Sequence, residues 1–125
     1  RLRSADGIPL ALERSWLPAR LVPGLLEQRL TGSLYSLLAR RYQLRMHSAV
    51  ERLEPVNASG DDAATLGVQE GAPLMLVRRT AFTEAGTPVE YARDLFRADR
   101  VSFVVRRGPA GPAAVRAEPG SARNS

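Results

Sequence analysis

Residues 74–96 read LMLVRRTAFTEAGTPVEYARDLF, and this stretch decides the fold class. Leu74–Phe82 is apolar enough for a central strand, Glu84-Ala85-Gly86-Thr87 has turn composition, and Val89–Phe96 returns as a second strand. Two strand-length runs joined through a short glycine-bearing turn make an antiparallel hairpin, since parallel strands need a far longer crossover.

A similar hairpin opens the chain. Arg1–Ser4 reads as a strand, Ala5-Asp6-Gly7 as turn chemistry and Pro9–Leu17 as the return, closed by Pro18. Pro9 lacks an N–H and belongs at the start of its strand or on an edge. Pro23 suits the first turn of a short helix with Leu25, Leu26 and Leu30 as its apolar side. Thr31-Gly32-Ser33 breaks that helix, and Ser33 is a good N-cap for the next, Leu34–Tyr42. Leu34, Leu37, Leu38 and Tyr42 lie on one face of it, while Arg40 and Arg41 suit its negative end.

Residues 46–58 read as a strand with Val50 and Val56 among its apolar positions, blurred by Pro55. Ser59–Gly67 reads as a short helix capped by Ser59 or Asp61, Gly71-Ala72-Pro73 as a turn, and Val101–Val105 as a last strand. Gly108–Ser125 turns to Gly, Pro, Ala and Ser and reads as a disordered tail. Strands outnumber the short, dispersed helices, which predicts an α+β fold: an antiparallel sheet with short helices packed on it. The chain opens inside a strand, as a piece of a longer protein would.

Composition narrows the function. The 125 residues suit one domain, and a 44% hydrophobic share is enough for one core. No apolar run nears the ~18–20 residues of a membrane span, and no signal peptide opens the chain, so the expectation is a cytoplasmic protein without membrane contact. Absence of cysteine removes thiolate chemistry and sulfur-bound metal. The lone His47 has no neighbouring ligand set, so it reads as structural and no metal or other cofactor is expected. All 18 basic residues are arginine, but net charge is only +5 and no groove-reading motif accompanies them. Direct DNA binding by this segment is therefore not expected.

The two hairpins echo each other. Gly7-x-Pro9 precedes Glu13 and Gly86-x-Pro88 precedes Glu90, with Arg1 and Arg3 on one incoming strand and Arg78 and Arg79 on the other. Arg1 and Arg3 share a strand face and suit phosphate as paired planar forks. Ser33 offers a hydroxyl beside free N–H groups at a helix start, Tyr35 lies off the leucine stripe, and Glu13 and Glu90 can accept from sugar hydroxyls or an amide. Arg1 and Arg3 share a face with Glu13 only if the first loop is odd. A three-residue Asp6-Gly7-Ile8 loop sets Arg3 opposite Ala11, whereas a two-residue Asp6-Gly7 loop would separate them.

Arg1-Leu2-Arg3, Asp6-Gly7-x-Pro9, Glu13-Arg14-Ser15-Trp16-Leu17-Pro18, Ser33-Leu34-Tyr35, Gly71-x-Pro73-Leu74, Gly86-x-Pro88-Val89-Glu90 and Phe96-Arg97-x-Asp99-Arg100 together resemble the UTRA domain. This is the effector-binding domain of the HutC branch of GntR-type bacterial transcription regulators, and the resemblance covers 1–107. It implies a chorismate-lyase-like fold and a homodimer. It also implies a winged helix-turn-helix and a first strand preceding Arg1 in the whole protein, DNA being contacted only through the former. The effector it implies is an anionic small molecule, a phosphorylated amino sugar by best fit, held by Arg1, Arg3, Glu13, Ser33, Tyr35 and Glu90. Phe96 stands where some members carry a tyrosine, which removes a hydroxyl from the set.

Each residue also has a plainer role: solvated strand arginines, a surface pair of Glu13 with Arg14 or Arg93, a mere cap at Ser33, a half-buried Tyr35. Trp16 reads as core rather than as a ligand stack. An enzyme of the chorismate lyase kind would need Glu13 or Glu90 as acid or base, and a dimerisation module with a degenerate pocket would need neither. The motif order favours a regulator with no catalytic residue.

Overall fold

A computed structural model describes residues 1–109 and the backbone of 114–119. Its strands are β1 (Leu2–Ala5), β2 (Ile8–Trp16), β3 (Ser48–Asn57), β4 (Pro73–Phe82), β5 (Pro88–Arg97), β6 (Val101–Arg106) and β7 (Ala114–Pro119); its helices are α1 (Leu34–Tyr42) and α2 (Gly60–Leu66). A five-stranded antiparallel sheet has the order β1-β2-β5-β4-β3, and β6 and β7 form a separate ribbon. The α+β expectation holds. Pro55 is tolerated in β3 because that strand lies at the sheet edge.

Three local expectations change. Pro23 starts no α-helix: two single 3₁₀ turns stand there, Ala19–Leu21 and Leu25–Glu27. Leu25 is buried, but Leu26 is 89% exposed, so the three leucines do not share one apolar side. Gly24 at φ 71° interrupts the chain before an α-helix can propagate. Trp16 is not core. It is half exposed and meets the equally open Tyr91 with ring centroids 5.6 Å apart. Within the segment read as a disordered tail, Ala114–Pro119 pairs antiparallel with β6, Val101 facing Pro119 and Arg106 facing Ala114. Backbone pairing needs a free strand edge rather than bulky side chains. Residues 110–113 and 120–125 of that tail lie outside the described residues.

The chain divides into two compact units. The first comprises Arg1–Glu13, Glu54–Leu76 and the described chain from Asp94. Its core gathers Leu12, Ala58, Ala63, Leu66, Leu74, Leu76 and Leu95. Ala63 and Leu66, three apart on α2, point to one side as helical spacing requires. Gly67 ends α2 at φ 66°. Arg97, 9% exposed, then acts as a clamp: Nη1 donates to the carbonyl oxygens of Leu66 (3.4 Å) and Pro9 (3.3 Å). Its Nε and Nη2 grip the two carboxylate oxygens of Asp99 at 3.0 and 2.7 Å. A cation thus sits on one of the carbonyls that the end of α2 leaves without a helical partner.

The first hairpin contains an unexpected correction. Ala5 faces Ile8, so the loop has two residues, Asp6 (φ 50°) and Gly7 (φ 76°), both left-handed as a twist-matched hairpin turn requires. That loop alone would put Arg3 and Glu13 on opposite faces. Ser4, however, faces Pro9 while Arg3 faces Ala11, which leaves Leu10 as a one-residue bulge. The bulge restores the parity that a three-residue loop would have given. Replacing Gly7 by alanine should cost about 1 kcal/mol in urea unfolding, from the backbone alone. A Cβ there would meet nothing within 4 Å.

In the second unit, Arg14–Leu53 and Val77–Arg93, the core is Val22, Leu25 and Leu38, with Leu17, Leu34, Leu37 and Tyr42 packed against it. Helix α1 runs as expected. Ser33 Oγ accepts from the Ser36 N–H at 3.2 Å, and Gln43 closes the helix at φ 55°. The leucine face turns to this core, leaving Tyr35 37% exposed.

Candidate functional site

In the first unit, Arg1 and Glu13 exchange backbone hydrogen bonds of 2.7 and 2.8 Å, so they are directly opposed across the hairpin. Arg3, two residues on, reaches the same carboxylate: Nη1 to Glu13 Oε1 is 3.3 Å. Arg3 is well exposed and Glu13 is one-fifth exposed, so the pair is a solvent-facing arginine whose guanidinium is held by an acid. Glu13 pairs with Arg3 here, rather than with Arg14 or Arg93.

In the second unit a polar row crosses one sheet face in strand order. Ser15 on β2 donates to Glu90 Oε2 on β5 at 3.1 Å. Arg79 on β4 donates from Nε to Glu90 Oε1 (3.3 Å) and from Nη1 to Glu51 Oε1 on β3 (3.5 Å). Tyr35, from the first turn of α1, caps the row with a 2.6 Å hydrogen bond to Glu90 Oε1. Glu90 is 2% exposed, and three donors serve its two oxygens. The carboxylate is buried but solvated by protein.

The Arg79 guanidinium also lies 5.8 Å from the Tyr35 ring centre. Burial pushes the Tyr35 hydroxyl well above its usual range, and the bond to Glu90 adds to that shift. The phenol therefore remains a proton donor throughout neutral pH. Beside the row opens a cleft of about 340 Å³, lined by Tyr35, His47, Ser48, Glu51 and Arg79 with Met46 on its apolar side.

The echo between the hairpins is thus physical. In each, an arginine of the incoming strand meets the glutamate of the return strand at 3.3 Å. Ser33 stands two residues before Tyr35 and its hydroxyl is engaged as a helix cap. Phe96 is engaged in the first unit, edge to face with Phe103 at 5.1 Å. Trp16 and Tyr91 each follow a member of the row, Ser15 and Glu90, so strand alternation places them on the opposite face. Sequence reasoning did not select Ser15, Glu51 or Arg79. Ser15 is two residues past Glu13 and Arg79 belongs to the echo, but joining them to Glu51 requires the strand order. Among the described residues no group of three or more His, Asp or Glu could hold a metal, and no helix is long and apolar enough to cross a membrane.

Residues 1–102 match the family model of the UTRA domain. The chain belongs to the UTRA family. This UTRA domain is 38% identical over 104 residues to the HTH-type transcriptional repressor NagR of Bacillus subtilis (strain 168), covering 83% of the chain and 43% of NagR. Among solved structures it superposes on the GntR-family transcriptional regulator of Enterococcus faecalis V583 with a TM-score of 0.78 and 27% identity, covering 85% of this chain and 76% of that one. PhnF from Mycobacterium smegmatis gives a TM-score of 0.79 and 28% identity over 84% of this chain and 47% of its own. The UTRA domain spans less than half the length of the curated relatives it matches. Those relatives are transcriptional regulators rather than enzymes.

Proposed function

We propose that this UTRA domain senses an anionic metabolite, best fitted by a phosphorylated amino sugar, without catalysing a reaction. Its occupancy changes the DNA affinity of a winged helix-turn-helix linked to it in a cytoplasmic homodimeric repressor. The observation that carries the reading is Glu90, a carboxylate sunk to 2% exposure and supplied with Ser15, Tyr35 and Arg79 as donors beside an open cleft. An apolar row of similar volume would stabilise the sheet at least as well, so the polar row argues for recognition. The residues assigned to the effector are Arg1, Arg3, Glu13, Ser33, Tyr35 and Glu90. Phe96 replaces a hydroxyl with a packing contact.

The arginines supply donors for phosphate, and the glutamates supply acceptors for hydroxyl or amide groups. Ligand that prefers one arrangement of these elements shifts the regulator toward it, and the shift reaches DNA by linkage. The test is calorimetric titration of the domain with N-acetylglucosamine 6-phosphate and glucosamine 6-phosphate against the unphosphorylated sugars at fixed salt. Phosphate-dependent binding that Arg3→Ala weakens about tenfold or more is the expected result, the loss of a charged hydrogen bond. Equal affinity for phosphorylated and plain sugars would defeat the anionic assignment.

A further inference from the structure

We infer that the cleft at the open end of the polar row reads a pair of adjacent hydroxyls on the effector, with Glu51 and Arg79 as the reading pair. The inference rests on the effector-sensing role proposed above and specifies what that site selects. The cleft, about 340 Å³, falls within the size range of small-molecule sites. Glu51 and Arg79 bring one negative and one positive charge to its lining, so the pair balances. An anion is opposed by Glu51 and by the Glu90 behind Arg79, and a cation is opposed by Arg79 itself. A hydroxyl donates and accepts, so two neighbouring hydroxyls satisfy both: one gives its proton to the Glu51 carboxylate, the other accepts from the Arg79 guanidinium.

The row differs along its length in how readily it can exchange a partner. Glu90 is buried and already bonded to three donors. Glu51 is 31% exposed, and its contact with Arg79, at 3.5 Å, is at the limit of a hydrogen bond. An incoming hydroxyl meets the longest of these contacts at Glu51 and need break none of the three bonds to Glu90. Tyr35, its ring already stacked near Arg79, supplies a carbon surface for the ligand's ring edge, and His47 and Ser48 supply polar edges to the same cleft.

The experiment titrates wild type and Glu51→Gln with N-acetylglucosamine 6-phosphate and with its 3-deoxy and 4-deoxy analogues. Wild type should lose about tenfold in affinity when the hydroxyl read by Glu51 is absent. Glu51→Gln should lose about tenfold for the parent sugar phosphate and no more than about twofold further for that same analogue, since the lost bond is counted once. Glutamine is close to isosteric, and the exposure of Glu51 leaves its replacement free to hydrate; Glu51→Asp, which keeps charge but shortens reach, is the second variant. Wild-type affinity of both variants for the parent overturns the inference and leaves the effector role standing. Losses that simply multiply overturn it as well. Failure of wild type to bind any of these phosphosugars defeats the effector reading itself, and the inference with it.

Discussion

Replacing Glu90 by alanine is expected to cost about 3–5 kcal/mol of stability, the range for removing one partner of a buried ion pair. Three donors would lose their acceptor at once: the hydroxyls of Ser15 and Tyr35 and the Nε of Arg79. Arg79 would suffer most, because its charge is largely withdrawn from water and its contact with Glu51, at 3.5 Å, is longer than the one it would lose. Urea unfolding measures this, and Glu90→Gln separates charge from hydrogen bonding by keeping one acceptor oxygen for Tyr35. A Glu90→Ala loss below about 1 kcal/mol would mean that the row holds nothing together. Effector binding should fall in both variants, more in the alanine.

Arg97→Met should cost about 2–4 kcal/mol, although methionine fills most of the same volume. Two carbonyl oxygens, of Pro9 and Leu66, and the carboxylate of Asp99 would lose their donor. The pH profile carries an independent signature. Hydrogen bonding from Arg97 holds the Asp99 carboxyl below its usual range, with burial opposing. A depressed folded pKa gives stability that is fully present above the ordinary aspartate range and is lost as pH falls through the folded value. Wild type should therefore lose the Asp99 contribution on acidification, while Arg97→Met, already without it, shows a flatter acid limb. Parallel acid limbs in the two proteins would show that the Arg97–Asp99 pair does not drive this part of the pH dependence.

Much of this architecture was legible because it rests on local chemistry. The hairpin at 74–96 follows from apolar runs around a glycine turn, and α1 from Ser33 and the leucine spacing, both found close to their expected bounds. The echo between the hairpins was legible too, each glutamate having arginines on its incoming strand, one of which it meets. What remained hidden depends on distant neighbours. Glu51 joins Glu90 through Arg79 only because β3, β4 and β5 are adjacent, and no periodicity within a strand encodes its neighbours. Trp16 misled because an aromatic residue in an alternating strand reads as core, while its actual partner is an equally exposed Tyr91. Leu25–Leu26 misled because apolar content alone does not overcome a left-handed Gly24.

The bulge at Leu10 has a consequence for anyone who would edit this hairpin. Turn length and bulge behave as two offsets in a frame, and only their sum decides which residues travel together. A turn that drew Ile8 in as a third residue would throw Arg1 and Arg3 out of phase with Glu13 unless Leu10 returned to regular pairing in the same step. Each change alone would scramble the face; the two together would be silent.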